Sequence, residues 1–522
     1  MPVFKASGFF VPMRTTHIPV SPDWYTVILQ TYANREHGEV TKRSMTMGAI
    51  ARRITRVITA VVCVAVSVGV SVATLHVPTR EGGGERFNPA RYRSDVIVTM
   101  FQANWKSVAR ECGEVLGPEG VGYVQVSPPQ ESIQGTQWWT SYQPVSYKLD
   151  SKEGTEAEFK NMVRQCKAAG VGVIADTVIN HTTGVDKTQG TGTAGSPYDN
   201  KGDFPEAGYT PSDFHAPCSI WTYRDAESVW NCQVSGLQDL DTSSPHVRDV
   251  LSDYFVKLLD YGVAGFRVDA VKHMPPEDVL AIKKLVAKKS GRSMNDIWWT
   301  QEVIGDNAEA AEIQPRNYLK TGQVNEFQYA YRLKSLFSNS LAGGSLSIKD
   351  IPQNITDSGK ASVFVTNWDT ERNNMTLTYK DGDAYRLANA FMLAYPYGAP
   401  NVFSGYEFHD TDSGASGATA TSVPDIDCSK DSGWSCTERW PDVHGMVGWH
   451  NVAGDAPLSD WQDDGDNMIA FGRGGRAFIA INNSVRTRTV TYHTALPAGE
   501  YCDVYALSLI HISEPTRRTP IS

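Results

Sequence analysis

The chain has 522 residues, more than one hydrophobic core normally organises, so a large domain with one or two smaller satellites is expected. A formal charge of −10 provides no broad positive field for phosphates and excludes nucleic acid as the main partner. Hydrophobic residues at 41% and charged residues at 20% are ordinary for a globular protein, while 13 Trp and 22 Tyr are generous and fit a neutral substrate, although most such rings are core.

At the N-terminus, Arg52, Arg53 and Arg56 precede an apolar run from Val57 to Leu75. Ser71-Val72-Ala73 offers the small residues a signal peptidase reads, so the run is assigned as a secretory signal. A transmembrane anchor is the alternative, because the run approaches bilayer-spanning length. Residues 1–94 are taken together as a non-native extension, signal peptide and linker, and the first 44 are left out of fold reasoning.

From Asp95 onward, short apolar β-rich runs alternate with helical periodicity. Asp95–Phe101, Gly122–Ser127, Val171–Val178, Val263–Val268, Ile297–Val303 and Ser362–Thr366 are predicted as buried parallel strands. Between them, Phe159, Met162, Val163 and Cys166 share one helical face, as do Val247, Val250, Leu251, Tyr254 and Leu258. Repeated βα units predict an α/β protein built on a closed (β/α)8 TIM barrel, with strand C-termini gathered at one mouth. An open doubly wound sheet is the other arrangement. After the third strand, the stretch Thr182–Gln238, rich in Gly, Asp, Asn, Pro and Thr, interrupts the rhythm. Short β-rich runs such as Ala477–Ile481 and Thr489–Tyr492 predict a C-terminal antiparallel β domain over 451–506. Residues 507–522 lack strand alternation and are read as an artefactual tail that cuts that domain short.

Cysteine spacing agrees with export. Setting Cys63 aside, the pairs are Cys112 with Cys166, Cys218 with Cys232, and Cys428 with Cys436. Cys502 remains, either because a truncated domain has lost its mate or as a free thiol.

Polar residues cluster where the strands should end. Val173-Ile174-Ala175-Asp176 runs into Asn180-His181; Gly265-Phe266-Arg267-Val268 into Asp269 and Lys272-His273; Trp298-Trp299-Thr300-Gln301 into Glu302; Val363-Phe364-Val365 into Asn367 and Asp369. Any one of these carboxylates could be a helix cap or an ion-pair partner. Four such clusters in order point to one site at a barrel mouth. Arg267, two residues before Asp269 and so on the same strand face, can keep that carboxylate ionised.

Taken together, Asp176-Thr-Val-Ile-Asn180-His181, Gly265-Phe-Arg267-Val-Asp269-Ala-Val-Lys272-His273, Glu302-Val-Ile and Phe364-Val-Thr-Asn367-Trp-Asp369 resemble the four ordered signature segments of the α-amylase family of glycoside hydrolases. Trp138-Trp139-Thr140-Ser141-Tyr142-Gln143-Pro144 is similar to the actinobacterial and animal-like members. The resemblance spans about Asp95 to Val504 and implies a barrel over 95–181 and 239–450, with the small domain B inserted at 182–238.

The resemblance also implies endo-hydrolysis of α-1,4-glucosidic bonds in starch, glycogen and related α-glucans with retained anomeric configuration. Asp269 would be the nucleophile, Glu302 the general acid and then base, and Asp369 the group that holds sugar hydroxyls and stabilises the transition state. Glu302 must stay protonated, so its surroundings should raise its pKa. Trp138, Trp139 and Tyr142 would stack on sugars or hydrogen-bond them, with Gln143, Asp176, His181, Arg267, Lys272 and His273 as further substrate contacts; barrel packing is the other reading of the two tryptophans. Calcium would be held by the side chains of Asn180 and Asp239 and the carbonyls of Trp230 and His273, an oxygen set suited to a hard cation. An Asp/Asn-rich turn without metal is the alternative. A secreted, extracellular monomer without stable membrane association after signal cleavage is expected.

The chain departs from the family at Thr366 and Trp368, where Asp and His are usual. A Trp indole can only donate a hydrogen bond, so impaired turnover or shifted specificity is expected. Chloride is not expected, because Asn401 occupies the position where chloride-dependent relatives carry a basic residue, although Arg267 and Asn367 match the rest. An α-glucan-binding homologue with impaired catalysis is the second function to weigh.

Overall fold

The computed structural model describes residues 9–12, 94–184, 189–338, 356–465, 467–484, 486–506 and 508–512. The apolar run 57–75 lies outside them, and among them no helix is long and apolar enough to cross a membrane.

Eight parallel strands close into a barrel in chain order. They are β1 Ile97–Met100, β2 Tyr123–Val126, β3 Gly172–Thr177, β4 Gly265–Val268, β5 Trp298–Gln301, β6 Gln323–Asn325, β7 Ala361–Phe364 and β8 Ala399–Ser404, with β8 pairing back onto β1. Alternation along each strand sorts the side chains. Ile97, Tyr123, Ile174 and Ala399 join Ala264 and Trp298 in a plug inside the barrel. Their neighbours Val98, Val124, Val173, Phe266 and Trp299 join the larger core shared with the helices. The same period of two sends Asp176, Arg267, Asp269 and Glu302 inward at the C-terminal ends, above that plug. Gly265 is fixed by the fit of β4 on β5: a Cβ there would lie 2.9 Å from a Trp298 ring carbon and 3.1 Å from its carbonyl oxygen.

The helices follow from caps and stripes. Glu156–Ala168 (α1) opens with a capping box in which Thr155 and Glu158 satisfy each other's backbone amides, and it buries the expected Phe159, Met162, Val163 and Cys166. Pro245–Asp260 (α2) starts with Pro at its first position and buries Val247, Leu251, Tyr254 and Leu258, while Val250 is only partly buried. The disulfide Cys112–Cys166 ties the segment after β1 to α1, closing a loop with a sequence separation of 54. Cys218–Cys232 and Cys428–Cys436 also form as expected.

Several expectations need correction. Six barrel strands are legible in the sequence; β6 and β8 are not, because β6 has only three residues and β8 carries Pro400, which breaks a strand pattern. The stretch expected as domain B is bracketed by the strand His181–Gly184 and its antiparallel partner Leu237–Asp239. The last helix, Pro441–Ala453 (α3), runs past 450, so the C-terminal domain starts later than expected. That domain holds β9 Leu458–Asp463, β10 Met468–Arg473, β11 Ala477–Asn482, β12 Gly499–Asp503 and β13 Ser508–Ile512. The expected strand at 489–492 is absent from it. Two segments set outside the fold by their sequence contribute strands: Phe9–Pro12 lies antiparallel between β11 and β12, and β13 pairs with β12. Phe9–Pro12 is thus an interior strand of this sheet, while β13 forms its edge, both joined through backbone hydrogen bonds. Cys502 is disulfide-bonded, so it is neither free nor without a mate.

Candidate active site at the barrel mouth

Arg267 is the centre of the site. It lies on β4 beside Asp176 of β3 and Thr300 of β5 in register, and its side chain is almost wholly buried. Its Nη1 donates to both carboxylate oxygens of Asp176, at 2.9 and 3.0 Å, and to Oδ1 of Asp269 at 2.6 Å. Nη2 lies 3.0 Å from Oε1 of Glu302. One planar fork therefore holds three acids from three adjacent strands, a geometry that a lysine ammonium could not reproduce.

After Asp269 the chain turns sharply. Ala270 takes the left-handed conformation with φ of 50°, uncommon outside glycine, and its amide donates to Oε2 of Glu302 at 2.8 Å. The two carboxyls of Asp269 and Glu302 are thus fixed from one turn and one guanidinium. Burial raises the pKa of Glu302, and the Asp269 carboxylate adds to this against the pull of Arg267. Asp369, on the loop after β7, is pushed up to about 8 by burial first and then by Glu302. Asp176 rises to about 7 through burial, opposed by Arg267. Asp369 makes no direct contact with Arg267; it joins the cluster through its field.

The remaining expected residues fall into groups. Tyr142 donates from its hydroxyl to Asp176 at 2.9 Å, and the His181 ring lies 3.0 Å from the Tyr142 carbonyl. Burial lowers the His181 pKa to about 4, so its imidazole is neutral at ordinary pH. Trp138 is half-buried beside Tyr142, its indole donating to the Thr411 carbonyl at 2.9 Å; Trp139 packs against the main core. Gln143 Oε1 accepts from the Gly184 amide at 2.9 Å, which ties its loop to the strand His181–Gly184. Lys272 pairs with Glu309 at 2.7 Å and lies 5.0 Å over the Tyr223 ring, while His273 meets the same ring edge-on.

A second cluster joins the barrel to domain B. The Oδ1 atoms of Asn180 and Asp239 are both buried without a hydrogen-bond partner. Asp239 uses its other oxygen to contact His215 Nδ1 at 2.7 Å, and burial pushes its pKa up to about 7. The helix Ala226–Asn231, which carries Trp230, packs on the turn Val271–His273. Buried acceptors left without donors cost free energy, and a set made only of oxygens suits a hard cation, so these residues fit calcium.

Sequence reasoning missed Phe101, Tyr223, Glu309 and Arg372. Phe101 directly follows β1 but is an apolar ring rather than a polar group, the other three lie further along the loops, and the importance of all four comes from long-range packing. Arg372 donates to the carbonyls of Trp368 and Thr411 and lies over the rings of Phe101, Trp138, Tyr406 and Phe408. Thr366 turns away into a buried hydroxyl pair with Thr376 at 2.7 Å.

A raised carboxyl and a second acid bridged by one arginine at the mouth of a (β/α)8 barrel define a glycoside hydrolase. Residues 124–453 match the alpha amylase catalytic domain and residues 459–513 the alpha amylase C-terminal all-beta domain. An α-amylase of Streptomyces violaceus is 45% identical over 414 residues, covering 78% of this chain and 69% of that protein. An α-amylase of Tenebrio molitor is 39% identical over 421 residues, covering 78% and 88%. The solved structure of a glutamate-to-glutamine variant of α-amylase I from Eisenia fetida, in complex with maltohexaose, superposes with a TM-score of 0.74 at 35% identity, covering 79% of this chain and 89% of that one. The chain belongs to the α-amylase family.

Proposed function

We propose that the enzyme cleaves internal α-1,4-glucosidic bonds of starch and related glucans with retention, through Asp269, Glu302 and Asp369. The carrying observation is the Arg267 fork, which binds Asp269 and Glu302 at once. A shared guanidinium keeps the two carboxyls close, as retaining glycosidases require with pairs roughly 5 to 5.5 Å apart, rather than the wider spacing that leaves room for water. An Asp269 oxygen attacks the anomeric carbon while protonated Glu302 gives its proton to the departing glucosyl oxygen, leaving a glycosyl ester on Asp269. Glu302, now a carboxylate, takes a proton from water; the hydroxide oxygen bonds to the anomeric carbon and Asp269 is released. Asp369 meets sugar hydroxyls beside the reacting ring, and Trp138, Trp139, Tyr142, His181, Lys272 and His273 line the glucan path.

Calcium would be held by the side chains of Asn180 and Asp239 with the carbonyls of Trp230 and His273, supplying the charge that pins domain B to the barrel. Three disulfides fit an oxidising, extracellular site of action. The second reading, a glucan-binding homologue with weak chemistry, rested on Trp368; burial of that ring at 4% exposure supports the catalytic reading, because it leaves the three acids in place.

Reducing ends released from soluble starch test the proposal. Asp269→Asn, which removes the nucleophile, and Glu302→Gln, which removes the acid and base, should each lower kcat by at least about 100-fold while glucan affinity persists. New α-anomers should appear first in the product spectrum. Release of β-anomers, or wild-type binding without new reducing ends, would overturn it.

A further inference from the structure

Arg267 satisfies its N–H edges in its own plane with Asp176, Asp269 and Glu302, which leaves the two faces of the guanidinium to be covered. The guanidinium lies over the face of an aromatic ring. The Arg267 guanidinium carbon lies 4.8 Å from the centre of the Trp368 ring, and Trp368 itself stacks on Phe101 with ring centres 5.2 Å apart and planes only 4° from parallel. Tyr142, which donates to Asp176, stacks on the same indole at 5.9 Å and 29°. The Trp368 carbonyl is held in turn by Arg372 Nη1 at 2.8 Å. The layers run Phe101, Trp368, Arg267, with the three acids around the rim of the last.

We propose that Trp368 is a positioning residue for catalysis, whose indole face fixes and desolvates the Arg267 guanidinium so that its fork stays aligned on Asp269 and Glu302. The inference rests on the retaining mechanism above. An aromatic face attracts a guanidinium through its quadrupole and takes up none of its N–H donors, so stacking and in-plane ion pairing act together. A flexible aliphatic side chain would fill the volume but let the guanidinium tilt. The groups facing Arg267 are Asp176 from β3, Asp269 after β4, Glu302 after β5 and the Tyr142 hydroxyl, with Asp369 acting through its field. Loosening the fork would weaken the positive charge felt by Glu302, so that carboxyl would titrate at higher pH.

The test compares wild type, Trp368→Phe, Trp368→Leu and Trp368→Met by steady-state kinetics on a chromogenic maltooligosaccharide across pH, with Tm measured alongside. Trp368→Leu is expected to lower kcat about tenfold with KM within twofold, and to move the basic limb of the kcat/KM profile, that of Glu302, to higher pH. Trp368→Phe, which keeps a ring over the guanidinium, should hold that limb in place and kcat within about threefold. If Trp368→Leu fails to fold, Trp368→Met, unbranched and adaptable, carries the same expectation. An unmoved basic limb in folded Leu or Met variants, with only a lowered Tm, would overturn the proposal in favour of plain packing. A raised KM in all three variants with an unmoved basic limb would overturn it in favour of the indole N–H acting as a sugar contact. Absence of activity in wild type would instead refute the retaining mechanism, so the two failures are distinct.

Discussion

Burial makes Asp369 a proton-linked weak point in the fold. Its pKa rises from 3.8 to about 8, so between those values the native state binds more protons than the unfolded chain. Stability from this group is therefore fully present at low pH and is lost as pH rises toward 8. Asp369→Asn removes the titration. Its Tm relative to wild type should be more favourable at pH 8 than at pH 5, by roughly 2 °C or more, as a change on the order of 1 kcal/mol gives in a domain of this size; an equal difference at both pH values would refute the assignment. At this scale much of the site is legible in the sequence. Asp176, Arg267, Asp269 and Glu302 all sit at predicted strand ends, and the spacing of Arg267 and Asp269 already places them on one face. What Trp368 does is not legible, because its partners Phe101 and Arg267 lie hundreds and about a hundred positions away, on other strands.

Strands and helices show which local signals are sufficient. Strand β3 is visible as an unbroken apolar run and α1 as a stripe behind a capping box, because each carries its own pattern. Strand β6, with three residues, is held by its neighbours: its Val324 pairs with Gln301 on one side and Ala361 on the other. Barrel closure supplies what the sequence of such a strand lacks. A tight fit between neighbouring strands is at Gly265, where a methyl group would press on Trp298. Gly265→Ala should destabilise the enzyme by about 1 to 3 kcal/mol, the cost of overpacking, and so lower the denaturant midpoint measured by fluorescence. An unchanged midpoint would show that β5 yields there, and the Arg267 register next to it should then be tested by activity.

Across the whole molecule, Asn180 and Asp239 leave buried oxygens without partners where the stretch after β3 meets the barrel, and that stretch carries its own disulfide between Cys218 and Cys232. Chelation with EGTA should lower Tm by several degrees, since a cation at a hundred times its dissociation constant adds about 2.7 kcal/mol. Asp239→Asn should lower Tm in calcium and shrink the response to EGTA. A chelator without effect on wild type would remove calcium from the description. The interruption between β3 and β4 is legible because the βα rhythm stops and resumes; the six-stranded C-terminal sheet is legible only in part, because Phe9–Pro12 and β13, though apolar, lie in segments whose surroundings set them outside the fold.

The turn from Ala270 to His273 belongs to two places at once. Its first amide donates to Glu302, and under the calcium proposal its last carbonyl, three residues later, would be offered to the ion. Withdrawing calcium is therefore expected to slacken Glu302 while the barrel still stands, producing a folded but idle enzyme that wakes when the ion returns. Ion supply in its surroundings would then act as a throttle on glucan breakdown as well as a guard against unfolding.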